Sequence, residues 1–475
     1  MLERLPVELA FYGKPFDRQA VIHTLRHLAM RAGWTITSRA RHRIIYATTE
    51  DPDQITVREG DIVILSTPAV KKHLAEGRSS LPFETMQEGR LPFPHPKWCE
   101  FERRGWIRAD IVAVACAVLN LWYEAHHRSE HAGDWMMFAE DWWQVSGWEK
   151  PEPAVDQWLG AIIQAASILK WPPCHSEWRP TVLLTHDVDY LPTPFDRGLP
   201  RFLRSVARQV ITRKRPADVL LNARGYAKAF IHTLPYYDFE KVVAGEAVRG
   251  ACSSFQFVVR SGHPHDPAYD LNHPHFRKAL RYLNEKGFEI CLHGSYRAGD
   301  NPAHLSEEKV KLEGLSGQKI TGHRQHYLHF QPHSFFAGIE RAGFRYDMSV
   351  GYNDMVGPRT GTYFPYRPYD LDHGKPFSFW EIPLVLMDTT LATSALLSSS
   401  EAMDAGRQEL RRIIEMKGCV SIVWHQEQLS GLLDPGYDRV YWDLLDYLGE
   451  RQIRMTAGSK MLAELDALWQ GTFEE

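Results

Sequence analysis

From residue 181 onward one pattern recurs along the chain: a short apolar run, a polar end, then a helical stretch. The apolar runs are "TVLLTHD", "SSFQFVV", "FEICLHG", "KITGHRQHY", "FRYDMSV", "FWEIPLVLMD" and "CVSIVWH". Segments with helical periodicity, such as "HPHFRKALRYLNEKG", "PHSFFAGIERAG" and "SSEAMDAGRQELRRIIEMKG", lie between many of them. Strands without apolar/polar alternation are strands covered on both faces, and their alternation with helices predicts a parallel sheet wrapped by helices, either a barrel or a doubly wound sheet.

The preceding part reads as a separate, smaller α/β unit. "VELAFYG", "RIIYATT" and "DIVILST" are strand candidates, and "FDRQAVIHTLRHLAMRAG" is a helix closed by glycine. "IVAVACAVLNLWY" is too short to cross a bilayer and reads as a buried helix. A Trp-dense stretch, Trp122, Trp135, Trp142, Trp143 and Trp148, suits core packing or a saccharide platform. The prolines of "WPPCHSEWRP" place a boundary near residue 175, giving domains 1–175 and 176–475. At 475 residues, two cores are the expected solution.

Composition excludes several classes. With 44% hydrophobic and 24% charged residues the chain is an ordinary globular one, and a net charge of -4 gives no reason to expect nucleic acid. The first residues lack the apolar core and cleavage site of a secretory signal, and the six cysteines are scattered without a CxxC pair. Reduced thiols and a cytoplasmic location are therefore expected.

The polar residues fall at the ends of the strands. His186, Asp187 and Asp189 end the first, His293 another, Arg324 and His326 a third, Asp388 a fourth, and His425 and Glu427 a fifth. In β/α barrels the loops after the strands build the active site, so these groups are expected on one rim. Along an extended strand Asp187 and Asp189 share a face, with His186 on the other. Two carboxylates so close require a cation or a shared proton, and a metal beside a base is the economical solution; an Asp-x-Asp turn or helix cap is the bland one. Arg324 is suited to orienting a carboxylate and His326 to being a ligand, although both also suit a solvated surface loop. His293 and His425 read equally as rim groups or as satisfied core histidines. The paired histidines of "SGHPHDP" and "NHPHF" are interrupted by prolines and read as rigid loops.

Taken together, "THDVD", "LHGSY", "RQHY" and "IVWHQ" resemble, in order, the motifs of the polysaccharide deacetylase family. With "GTYFPYRPYDL", "EIPLVLMD" and "WHQE" they look like an uncharacterised bacterial branch with an additional N-terminal α/β domain. The resemblance implies a distorted (β/α)7 barrel and a metal-dependent carbohydrate deacetylase. It would remove an acyl group, N-acetyl in the first instance, from a saccharide or glycoconjugate. It further implies Asp187 as base, Arg324 as its partner and His425 as acid. A divalent ion, zinc first, would sit on Asp189, His293 and His326, with Tyr327, Asp388 and Trp424 at the substrate. The chain departs from the family pattern in three places. Val188 separates the two aspartates, Arg297 stands where the second motif's other histidine is usual, and His326 stands where the third motif has proline. We therefore expect His326 to supply the second imidazole, with His186 in reserve. A non-catalytic glycan-binding barrel is the alternative function, and an amidohydrolase using His263 and His265 is a third. A basic amphipathic helix over 197–215 would pack on the barrel or make peripheral contact with anionic lipid.

Overall fold

The computed structural model describes residues 4–13, 15, 17–48, 55–66, 106–107, 111–122, 124, 150–173, 178–189, 191, 239–267, 271–430 and 436–474. The basic 197–215 segment and Trp135, Trp142, Trp143 and Trp148 lie outside these residues. The chain divides into two compact units. One comprises Met1–Trp178, Thr360–Ser378 and Leu462–Glu475, the other Arg179–Arg359 and Phe379–Met461. Among the described residues no helix is long and apolar enough to cross a membrane, and Cys116, Cys252, Cys291 and Cys419 are free thiols.

The first unit holds a five-stranded sheet of β1 (Leu5–Tyr12), β2 (Trp34–Thr37), β3 (His42–Thr48), β4 (Ile62–Ser66) and β5 (Trp106–Ile107), ordered β2-β1-β3-β4-β5. All its pairings are parallel. The helix Arg18–Ala32 starts where the Asp17 carboxylate accepts the N–H groups of Gln19 and Ala20, and stops at Gly33, whose φ of 72° suits a residue without Cβ. The helix Ile111–Leu119 is buried on every side, as its unbroken apolar sequence requires. The short β2, directly after Gly33, is too brief a signal to stand out from sequence alone.

In the second unit the strands are β6 (Thr181–Val188), β7 (Ser254–Phe257), β8 (Glu289–Gly294), β9 (Gly322–Gln325), β10 (Tyr346–Asp347), β11 (Trp380–Glu381), β12 (Leu384–Met387), β13 (Cys419–Val423) and β14 (Arg454–Thr456). They form one parallel sheet ordered β11-β10-β9-β8-β7-β6-β13-β12, with β14 beside the first half of β6. Every residue of β6 is buried. The sheet curls. Its two ends, β11 and β12, are consecutive parts of one extended run broken at Pro383, which has no N–H to give a ladder. Along that run the Ile382 and Leu384 N–H groups donate to Asp347 and Val350, while the Pro383 carbonyl accepts from Ser421. One stretch thus bonds to β10 on one side and β13 on the other. The sequence reading located every strand of this sheet except β14, whose three residues carry too little periodicity to register.

Candidate active site

Parallel register sets the heights of the site residues. Asp187 is level with Gln256 on β7, and His293 on β8 with Arg324 on β9. Arg324 is fully buried and reaches across the inside of the curl. Its Nη1 donates to Asp187 Oδ1 (2.8 Å) and Thr185 Oγ1 (2.7 Å) on β6, and its Nε to the Met348 carbonyl (3.0 Å). Two strands intervene between β9 and β6 in the sheet, so only a curved sheet allows this contact. Burial opposes ionisation of Asp187, but the Arg324 guanidinium, with His293 and His425, holds the carboxyl below its usual range.

His293 donates from Nδ1 to the Arg324 carbonyl (2.9 Å), which fixes the tautomer and leaves the Nε2 lone pair facing the acids. That Nε2 lies 3.5 Å from Asp189 Oδ1 and 3.6 Å from Asp187 Oδ2. Burial lowers the His293 pKa to about 4, so the ring is a neutral donor at physiological pH. His326, on the turn after β9, has Nε2 3.4 Å from Asp189 Oδ2 and Nδ1 3.6 Å from Asp266 Oδ1. Burial opposes its charge, but the Asp189 carboxylate, with Asp266 behind it, raises the pKa to about 9. Asp189 is correspondingly held well below the carboxylate range: burial works against it, and the imidazoles of His326, His293 and His425 prevail.

One ligand atom each from Asp189, His293 and His326 lies within 4.8 Å of the others, and these three form a group able to hold a metal ion. Three observations fit them to a cation. Asp189 Oδ1 is buried without a hydrogen-bond partner. The 3.4 and 3.5 Å separations are longer than the usual N–H···O distance, and they match the roughly 3.3–3.6 Å between neighbouring N and O ligands of a tetrahedral zinc with ~2.0–2.2 Å bonds. The donors are two imidazoles and a carboxylate, a set that zinc accepts.

His425, held by Asp388, approaches Asp189. The two oxygens of Asp388 accept from His425 Nδ1 (2.6 Å) and from its backbone N–H (2.8 Å), and His425 Nε2 is 3.8 Å from Asp189 Oδ2. Burial disfavours the imidazolium, but Asp388, with Glu427 and Asp189, more than compensates, and the His425 pKa stands well above its ordinary value. Asp388 and Trp424, both expected at the substrate, are fully enclosed. Asp388 is occupied with His425 and the Thr389 N–H, and the Trp424 ring packs against Tyr437 and Tyr441.

His186 faces away, its Nε2 2.7 Å from Glu246 Oε1 and its Nδ1 2.7 Å from the Trp424 carbonyl, so it takes no part in the cluster. His263 and His265 are likewise outside it, in a loop pinned by Asp266. Tyr327, next to His326, adopts a positive φ of 58°, costly for a side chain of its size, and its carbonyl accepts from Asn353 Nδ2 (2.7 Å). The structure thus brings Asp187, Asp189, His293, Arg324, His326 and His425 together. Sequence reasoning overlooked Asp266, whose only signal was its place after the paired histidines of "GHPHDP".

Fold and site define an α/β protein with a barrel-like parallel sheet and an Asp-His-His cluster able to hold a metal. No family model matches the sequence, and neither does any curated protein. Among solved structures the chain is similar to a protein assigned as a polysaccharide deacetylase from Mycobacterium smegmatis, at 17% identity and TM-score 0.39 over 61% of this chain and 92% of that one. It is also similar to a mutant CE4 family pseudoenzyme with restored activity, at 10% identity and TM-score 0.28 over 61% and 75%. A GH57 branching enzyme from Thermococcus kodakaraensis is a further neighbour, at 13% identity and TM-score 0.26 over 60% and 71%. These scores are too low to transfer a function.

Proposed function

We propose that the chain is a metal-dependent hydrolase that removes an acyl group, N-acetyl in the first instance, from a saccharide or glycoconjugate, on a distorted (β/α)7 barrel. One observation carries the hydrolytic reading: a buried, arginine-held carboxylate lies 3.6 Å from a histidine of the metal-holding group, with a carboxylate-held histidine also at that group. The saccharide as substrate comes from the motif resemblance.

Asp189, His293 and His326 would hold the ion, zinc on this donor set. When bound, a divalent ion polarises the acyl carbonyl and acidifies water at the site. Asp187, kept ionised by Arg324, accepts the proton of the attacking water as general base. His425, kept protonated by Asp388, gives its proton to the departing amine or alkoxide. The Tyr327 backbone N–H is assigned to the developing oxyanion. Asp388 acts through His425 and is a positioning residue.

Stripping with a chelator should abolish acetate release from N-acetylated oligosaccharides, and zinc should restore it; full turnover in stripped protein would refute the reading. The histidine charges give this test a sign. A ligand must be neutral, and His326 at a pKa of about 9 is protonated at neutral pH, so zinc uptake at pH 7 should release about one proton and tighten as pH rises towards 9. Calorimetry in buffers of different ionisation heats reads that proton, and an unchanged heat across buffers would contradict His326 as a ligand.

Asp388→Asn tests the acid. Only protonated His425 can donate, so activity falls as pH rises through its raised pKa. Without the Asp388 charge, burial dominates and that alkaline limb of kcat/KM should move to lower pH. An unmoved limb would assign the proton donor elsewhere.

A further inference from the structure

Beside the His326 ring lies an aromatic cluster to whose side chains the chemistry above assigns no task. Tyr296 is sandwiched between two parallel rings, His263 at 4.3 Å and His329 at 4.1 Å between centroids. His265 and Tyr327 continue the cluster outward, 4.9 and 5.9 Å from Tyr296 and 5.0 Å from each other. The Tyr327 and His326 ring centroids are 4.6 Å apart. These rings come from the segments following three consecutive strands, β7, β8 and β9.

The cluster is held rigid. Asp266 accepts the backbone N–H groups of Gly262, His263 and Tyr296, locking the loop after β7 to the helix that opens at Tyr296. His329 is fixed by Asp300 (2.8 Å). Gly299 approaches the His329 carbonyl so closely that an added Cβ would lie 1.8 Å from its oxygen. Tyr296 is 8% exposed and closes the stack inside, whereas Tyr327 is 42% exposed and His265 is exposed as well. A tyrosine left open on a strained, hydrogen-bonded backbone, one residue from a metal-holding histidine, is a preformed planar surface rather than packing.

We propose that Tyr327 and His265 form a stacking subsite for a pyranose ring of the substrate, adjoining the sugar that carries the acyl group; this rests on the saccharide hydrolase reading. An aromatic face carries negative charge density, and the axial C–H groups of a pyranose offer it a flat, weakly positive partner. The two rings fix which sugar enters and how far its acyl group stands from Asp187; their part is separate from that of the Tyr327 backbone N–H in bond breaking.

Binding of the N-acetylglucosamine tetramer, followed by saturation-transfer NMR and calorimetry in zinc-loaded Asp187→Asn protein, tests the surface without turnover. Tyr327→Ala in that background should weaken binding about tenfold, ~1.4 kcal/mol, and His265→Ala by less, while Tyr327→Trp should retain it. Equal affinity across the three variants, or no binding in the background protein, overturns the subsite. Acetate release by the unmutated protein is measured separately. Turnover with no effect of Tyr327→Ala on the tetramer removes the subsite alone, and absence of turnover with tetramer binding lost in Tyr327→Ala removes the hydrolase alone.

Discussion

Asp187→Asn is expected to cut acetate release by about 10²–10⁴-fold, the usual contribution of a positioned general base, while the protein keeps close to one equivalent of zinc. The amide is isosteric and can still accept from Arg324 Nη1 through its carbonyl oxygen, so the buried pair loses charge but not shape. What it loses is the ability to take a proton. Asp189 supplies the carboxylate for the cation in this assignment, with its Oδ1 buried and unpartnered, whereas Asp187 has one oxygen already committed to Arg324. Elemental analysis beside the activity assay separates the two aspartates. If Asp187→Asn loses its metal and Asp189→Asn keeps it, the roles are reversed, which is the ambiguity that the intervening Val188 introduces.

The same comparison shows what the sequence made legible. The i, i+2 spacing of Asp187 and Asp189 is sufficient to put them on one face, and with it His186 on the other, because strand geometry is local. That His293, Arg324 and His326 gather at that face followed from their shared position at strand ends, since parallel register carries strand ends to one rim. Illegible were the contacts that depend on how the sheet curves. The reach of Arg324 to Thr185 joins residues 139 apart, and no periodicity encodes it. Nor did spacing distinguish Asp388 as the partner of His425 from Asp388 as a substrate contact: both roles put an acid at a strand end, and only the 2.6 Å distance separates them. Asp266 escaped because it lies in a loop, where neither period applies.

Arg324→Met should destabilise the second unit by about 3–5 kcal/mol, the usual result of leaving a buried charge unpaired. The guanidinium is fully buried, and its loss removes the cation that opposes burial at Asp187, as well as the donor to the Met348 carbonyl. Thr185, and Ser421 whose Oγ lies 3.5 Å from Arg324 Nη2, suffer less, because their hydroxyls already donate to the Ile422 and Pro383 carbonyls. The pH dependence has a definite sign. In the native protein the depressed Asp187 pKa contributes stability that is present above the unfolded carboxyl pKa and is lost as pH falls through the lower folded value. In Arg324→Met burial acts on Asp187 with its main cation gone, so its pKa rises above the unfolded value and the carboxyl protonates as pH is lowered. The stability deficit should therefore be largest at neutral and alkaline pH and shrink towards pH 4–5. Urea unfolding across that range measures it. The double variant Asp187→Leu/Arg324→Met removes both charges and should recover most of the loss, because apolar residues can replace a buried ion pair at little cost. Additive losses in the double variant, or a deficit that does not change with pH, would mean that Arg324 stabilises the second unit by packing alone and does not hold the Asp187 carboxylate.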